Sequence, residues 1–258
     1  VAGLPQSATG QSALFTGINT ARALGRHLSG FPTAALRDII AAHSLLRRLK
    51  SAGRKVAFAN TYTTEYLERL YPGFTGGSTD GFLQESGYSG PGRKSVTTVM
   101  NESAGLEFRT EVDLVAQNGL HMDFTNRFLR SMGADVPLRS PRDAADILAS
   151  LAERFDLCVY EFFFSDLVGH RGDISEAAEL LEELDDFLFE IVSRLDFGNS
   201  SLIVTSDHGN IEDMSTRQHT FNLVPLLLWG GIHAEFAGMP DPVPITGIAP
   251  AIIRHLAG

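Results

Sequence analysis

The stretch Ser201-Leu202-Ile203-Val204-Thr205-Ser206-Asp207-His208-Gly209-Asn210 decides how this chain is read. Its apolar run over 201–205 predicts a short buried strand. The strand ends in a carboxylate and an imidazole side by side, followed at once by Gly209. Neighbouring strand residues point to opposite faces. At the strand's end, where Gly209 permits a turn with unusual φ, Asp207 and His208 can swing toward one point. In open α/β sheets ligands bind there, beyond the carboxyl ends of the strands. Taken alone, the same residues read equally well as a capped turn with a surface histidine.

Working outward, the arrangement recurs. Leu157 to Phe163 is rich in β-branched and aromatic residues and predicts a strand, with Ser165-Asp166-Leu167-Val168-Gly169-His170 directly after it. Positions i and i+4 share a face if the segment is helical, which would pair Asp166 with His170. Downstream, Arg217-Gln218-His219-Thr220 precedes a strand expected over 222–229. Near the amino end, Gly10-Gln11-Ser12 places a hydroxyl where a helix is expected to start. Each has a plain alternative: Asp166 and Ser12 as N-caps, His170 as a surface residue. Together they gather carboxylates and imidazoles beyond two strand ends and in loops beside the sheet. Such donors suit Zn²⁺, Mn²⁺ or related ions. The required states, ionised carboxylate and neutral imidazole, are accessible near neutral pH.

The surrounding pattern is an α/β alternation. Residues 4–11 read as a loop, with a helix from Ser12 onward, a helix over 34–49 and a strand over 55–60. Residues 72–92 carry seven glycines and two prolines and predict a long loop or lid. Short helical patterns at 94–103, 109–118 and 123–132 predict a small helical insertion. Ser140-Pro141, with Asp143 in the first turn, starts a helix to about Arg154. A long amphipathic helix spans 174–195 with a solvated acidic face, and a closing helix spans 250–256. From 140 onward this order predicts a largely parallel sheet covered on both faces.

Composition bounds the function. The 258 residues are 43% hydrophobic and 20% charged, enough for an ordinary core, with a net charge of −10. That balance argues against nucleic-acid or anionic-membrane partners, though bound cations would still let the site take a small anion. No apolar run is long enough to span a bilayer. The one cysteine, Cys158, excludes an intrachain disulfide and reads as a packed, inert thiol; cytoplasm is the default compartment.

Thr-Ser-Asp-His-Gly-Asn, Asp-Leu-Val-Gly-His, and His219-Thr220 followed by Val224-Pro225 resemble the alkaline-phosphatase superfamily of binuclear metalloenzymes. Within it the chain is similar to the cofactor-independent phosphoglycerate mutases and phosphopentomutases over roughly 1–30 and 140–258. The amino-terminal stretch Leu4 to Gly17 looks more like an uncharacterised subgroup. The resemblance implies a three-layer α/β/α sandwich, with a core of 1–74 and 139–258 and a small cap of 75–138. It implies two divalent ions, Mn²⁺ or Zn²⁺ foremost and Mg²⁺ next. Asp166, His170 and His219 would hold one; Asp207 and His208 would hold the other, with Ser12 as bridging nucleophile. The implied chemistry is phosphoryl transfer from a small phosphorylated substrate through a Ser12 phospho-enzyme. Water attack then gives a phosphatase, and return to a second hydroxyl gives a mutase. Asn101 and His121 are the expected substrate contacts in the insertion.

Two other readings compete. A non-catalytic or degenerate metal-binding domain would keep the ligands without turnover. A serine hydrolase would use Gly10-Gln11-Ser12, but the last Gly of that motif is absent. A sulfatase would need Pro two residues after the nucleophile, where Leu14 stands. The chain begins Val-Ala-Gly-Leu-Pro and reaches its first functional loop with no strand before it. The expectation is that an apolar strand ending in Asp precedes Val1 and completes the second metal site.

Overall fold

The structure is a computed structural model that describes residues 1–73, 77–78 and 93–258. Most of the loop or lid expected over 72–92 lies outside the described residues. In chain order the first elements are α1 Ser7–Thr16, α2 Thr20–Leu24, α3 Ala34–His43, α4 Leu45–Ser51, β1 Val56–Phe58 and α5 Thr64–Leu70. There follow β2 Gly77–Ser78, α6 Val96–Ser103, β3 Glu107–Phe108, α7 Glu111–Val115 and α8 Arg127–Ser131. The last are α9 Pro141–Arg154, β4 Leu157–Val159, α10 Phe164–Arg171, α11 Ile174–Arg194, β5 Leu202–Thr205, β6 Leu226–Trp229 and α12 Ile248–Ala257. The chain is thus a mixed α/β protein. No helix among the described residues is long and apolar enough to cross a membrane.

Backbone contacts divide the chain into two units. The first comprises Val1–Arg54, Lys94–Ala104 and Asp196–Gly258. The second comprises Lys55–Arg93 and Gly105–Leu195. Residues of the expected cap, 75–138, are thereby shared between the units.

In the second unit β1 and β4 pair in parallel, Val56 opposite Leu157 and Phe58 opposite Val159. Helix α9 starts where its sequence dictates. Ser140 and Asp143 form a capping box, with Pro at the head of the helix, and two of the otherwise orphaned donors are met reciprocally. Hydrogen bonds from Ser140 hold the Asp143 carboxyl below its ordinary value. The helix buries Ala144, Ala145, Ile147, Ala149 and Leu151 and packs along α11, whose buried face carries Ala177, Phe187 and Ile191. At the carboxyl end of β4 an aromatic stretch leads into α10. Tyr160 and Phe187 meet edge-on at 6.0 Å, and Phe187 stacks on Phe124 at 4.3 Å. Cys158, in β4, is half-buried, and desolvation pushes its thiol up to about 12, which keeps it protonated.

In the first unit β5 and β6 form the pair that carries the opening stretch. They run antiparallel, Leu202 opposite Trp229 and Thr205 opposite Leu226. This corrects the expectation of a parallel arrangement for these two strands. A parallel partner needs a crossover, normally a helix packed on the sheet. The connection over 206–225 holds no helix among its residues, so the chain returns beside the strand it left. Helix α1 begins at Ser7, five residues earlier than expected. It buries Ala8, Thr9, Gly10, Ser12, Ala13 and Thr16, a face of small residues that allows close packing.

Candidate metal centre

Each unit carries candidate metal ligands. In the second unit, α10 carries Asp166 in its first turn and His170 in its last. Asp166 Oδ1 lies 3.4 Å from His170 Nε2, the i,i+4 pairing that the spacing predicts. The helix follows β4 almost directly, so strand and helix fix the carboxylate at the strand's carboxyl end.

In the first unit, the turn after β5 brings Asp207, His208 and His219 together. Asp207 Oδ2 is 3.5 Å from His208 Nε2, and the two imidazole rings stack with centroids 3.7 Å apart. Gly209 and Thr220 form an antiparallel bridge, so the strand pairing resumes beyond β5 and β6 and sets the two histidines in register. Both histidines are buried. His219 Nδ1 meets the carbonyl of Pro5 at 2.8 Å. An Nδ1–H bonded in that way makes Nε2 the nitrogen that carries the lone pair, the tautomer usual for metal-bound histidine. Carboxylate and imidazole donors gathered in this fashion fit Mn²⁺ or Zn²⁺.

The structure corrects the expected helix start at Ser12. Rather than opening a helix, Ser12 lies in the middle of α1, fully buried, and its Oγ donates to the Ala8 carbonyl at 2.6 Å. The hydroxyl at the helix start is Ser7, whose Oγ lies 3.1 Å from His208 Nε2. Ser7 sits in the first turn of a ten-residue helix with no side-chain cap and no acidic residue in that turn. Its amides and dipole favour an anion at that end. The sequence reading missed Ser7 because Gln6-Ser7-Ala8-Thr9-Gly10 looks like a turn. The available signal was Pro5 just ahead of it, since proline commonly stands at helix starts.

Gly10 explains how α1 reaches the strand end. A Cβ on Gly10 would lie 2.7 Å from the Asp207 carbonyl oxygen. Gly10→Ala gains about 1 kcal/mol of helix propensity but forces α1 away from a backbone atom that cannot swing aside. Such overpacking typically costs about 1–3 kcal/mol. We expect net destabilisation in urea unfolding. An increase in stability would show that α1 is not seated against Asp207.

Asn210, read only as part of the motif, is buried, and neither polar atom of its carboxamide has a hydrogen-bond partner among the described residues. Of the two expected substrate contacts, Asn101 lies on α6 in the first unit, buried, with its Oδ1 unpartnered among the described residues. His121 belongs to the second unit, where it is buried and stacks on Phe128 at 6.3 Å.

Comparison with known proteins agrees with this chemistry. Residues 133–254, just under half of the chain, match the Metalloenzyme superfamily. The 2,3-bisphosphoglycerate-independent phosphoglycerate mutase of Desulforudis audaxviator is 31% identical over 126 residues, 46% of this chain and 24% of that enzyme. The enzyme of the same name from a Ruegeria species is 36% identical over 101 residues, 36% of this chain and 20% of its own. That of Cereibacter sphaeroides is 33% identical over 135 residues, 43% of this chain and 27% of its own. The matched stretches thus span about a quarter of the curated relatives. A solved protein from Pyrococcus horikoshii overlays 81% of this chain on 44% of its own at a TM-score of 0.47 and 14% identity.

Proposed function

We propose that the chain is an alkaline-phosphatase-like metalloenzyme, similar to cofactor-independent phosphoglycerate mutase, and that it catalyses metal-dependent phosphoryl transfer on a small phosphate ester. The nucleophile in this reading is Ser7 in place of Ser12, and the product is that of a phosphatase or a phosphomutase. The observation that carries it is the Ser7 hydroxyl 3.1 Å from His208 Nε2, at the open amino end of α1.

Each residue then has a role. Asp166, His170 and His219 would hold one divalent ion; Asp207 and His208, with the serine hydroxyl, would hold the other. When bound, Mn²⁺ or Zn²⁺ ions favour the deprotonated serine and neutralise the phosphoryl oxygens. The first-turn amides of α1 orient the phosphate, and the Pro5 carbonyl keeps His219 in its coordinating tautomer. Asn101 and His121 contact the substrate, and Asn210 joins them because a buried carboxamide without partners is costly unless a ligand satisfies it. The reading carries its architecture too: a three-layer sandwich of 1–74 and 139–258, capped by 75–138.

The test is metal removal. The chain stripped with EDTA should lose hydrolysis of p-nitrophenyl phosphate and regain it with Mn²⁺ or Zn²⁺. Activity that survives chelation would end the reading. Tight metal binding without turnover across a panel of phosphate esters would favour a non-catalytic domain.

A further inference from the structure

We propose that Glu212 is a positioning residue whose carboxylate ties the turn bearing His208 to the segment bearing His219, and so sets the geometry in which both imidazoles bind metal. The proposal rests on the metal reading above and goes beyond it, because Glu212 is not itself placed among the ligands.

The geometry is direct. Glu212 Oε2 accepts the Asn210 backbone N–H at 2.6 Å, two residues after His208. Glu212 Oε1 accepts the Thr220 hydroxyl in a short hydrogen bond, one residue after His219. The same oxygen accepts the Asn222 amide at 3.2 Å. One carboxylate therefore spans both ligand-bearing segments, just where Thr220 N–H donates to the Gly209 carbonyl at 3.0 Å. Gly209 makes room for this: a Cβ there would fall on Thr220 Oγ1 and Glu212 Oε1.

Exposure separates the role from ordinary packing. Glu212 is an exposed residue, whereas His208, Asn210, His219 and Thr220 around it are buried. Removing its side chain removes little apolar contact. What it removes is a side-chain hydrogen-bonded link between the two segments. Two imidazoles stacked at 3.7 Å need such a link, because small slips of one segment redirect the donor nitrogen. Groups behind metal ligands commonly change affinity by about 10–100-fold when lost.

The experiment is calorimetric titration of Mn²⁺ into the metal-stripped chain, paired with the melting temperature of the metal-free chain. Glu212→Ala should weaken Mn²⁺ binding by about tenfold or more while the metal-free melting temperature holds. Glu212→Gln should restore most of the affinity. Its carbonyl oxygen can still accept from Asn210 N–H, and its amide can donate to Thr220 Oγ1. Unchanged affinity in Glu212→Ala, with the parent chain binding normally, overturns the clamp and leaves the metal reading standing. A parent chain that binds no Mn²⁺ overturns both. If Glu212→Ala melts early, Thr220→Val cuts one arm of the same link with little change in shape. Equal affinity in that variant also overturns the proposal.

Discussion

Ser7→Ala should abolish phosphoester turnover, by about 10³-fold or more in kcat, while Ser12→Ala leaves it within a few fold. The two hydroxyls stand five residues apart in one helix but in opposite circumstances. Ser7 lies in the first turn, half-buried, with its Oγ against His208 Nε2. Ser12 is sealed inside the helix packing, and its hydroxyl is engaged with the Ala8 carbonyl. A nucleophile must reach the phosphorus along the line opposite the leaving oxygen, and a hydroxyl with no exposed surface has no such approach. Neither substitution threatens the fold. Alanine is the better helix former, and the back-bond lost in Ser12→Ala is local to α1. Steady-state kinetics with Mn²⁺ on both variants, alongside their melting temperatures, checks this. An inactive, folded Ser12→Ala beside an active Ser7→Ala would reverse the assignment.

That exchange of serines shows where sequence reasoning reaches its limit. Asp166 and His170 were legible because a helix has one period, and four residues along it return a side chain to the same face. The Asp207-His208 pair was legible because an apolar run cut off by Asp-His-Gly has few ways to end. Helix α1 was not legible as far as Ser7, because its buried face is Ala8, Thr9, Gly10, Ser12, Ala13 and Thr16. Periodicity is carried by large apolar side chains, and a helix that packs closely through small residues offers almost none. Local propensity then favours a turn, and tertiary contact overrides it. The β5–β6 pairing failed for another reason. Alternation of helix and strand implies parallel neighbours only where a helix intervenes, and the connection over 206–225 is devoted to the ligand-bearing turn instead.

Stability should fall as pH drops from about 6.5 toward 4, with His121 responsible for about 3 kcal/mol of the loss. Burial is the main cause. It lowers the His121 pKa from 6.5 to about 4, against the opposing pull of Asp123 and, more weakly, Glu111. The ring is held neutral by its surroundings: it stacks on Phe128, and Nδ1 accepts the Asp123 backbone N–H at 3.3 Å. The Tyr160 hydroxyl donates to the His121 carbonyl at 2.8 Å, so the backbone cannot easily carry the ring out to water. The folded value is the depressed one, so the unfolded chain binds the extra proton in this window. Stability is therefore complete above about pH 6.5 and is lost as pH falls through the folded value. A shift of about 2.5 units corresponds to about 3 kcal/mol. The consequence reaches the ligands of the same unit, because Phe128 meets Phe164 edge-on at 5.5 Å and Phe164 opens the helix of Asp166 and His170. Urea unfolding of the metal-free chain between pH 7 and 4 gives the slope. His121→Phe keeps the stacking volume and removes the titration, so its curve should be flatter by about 3 kcal/mol over that range. Parallel curves for the two proteins would show that His121 is protonated without cost, and that the aromatic packing does not keep the ring from water.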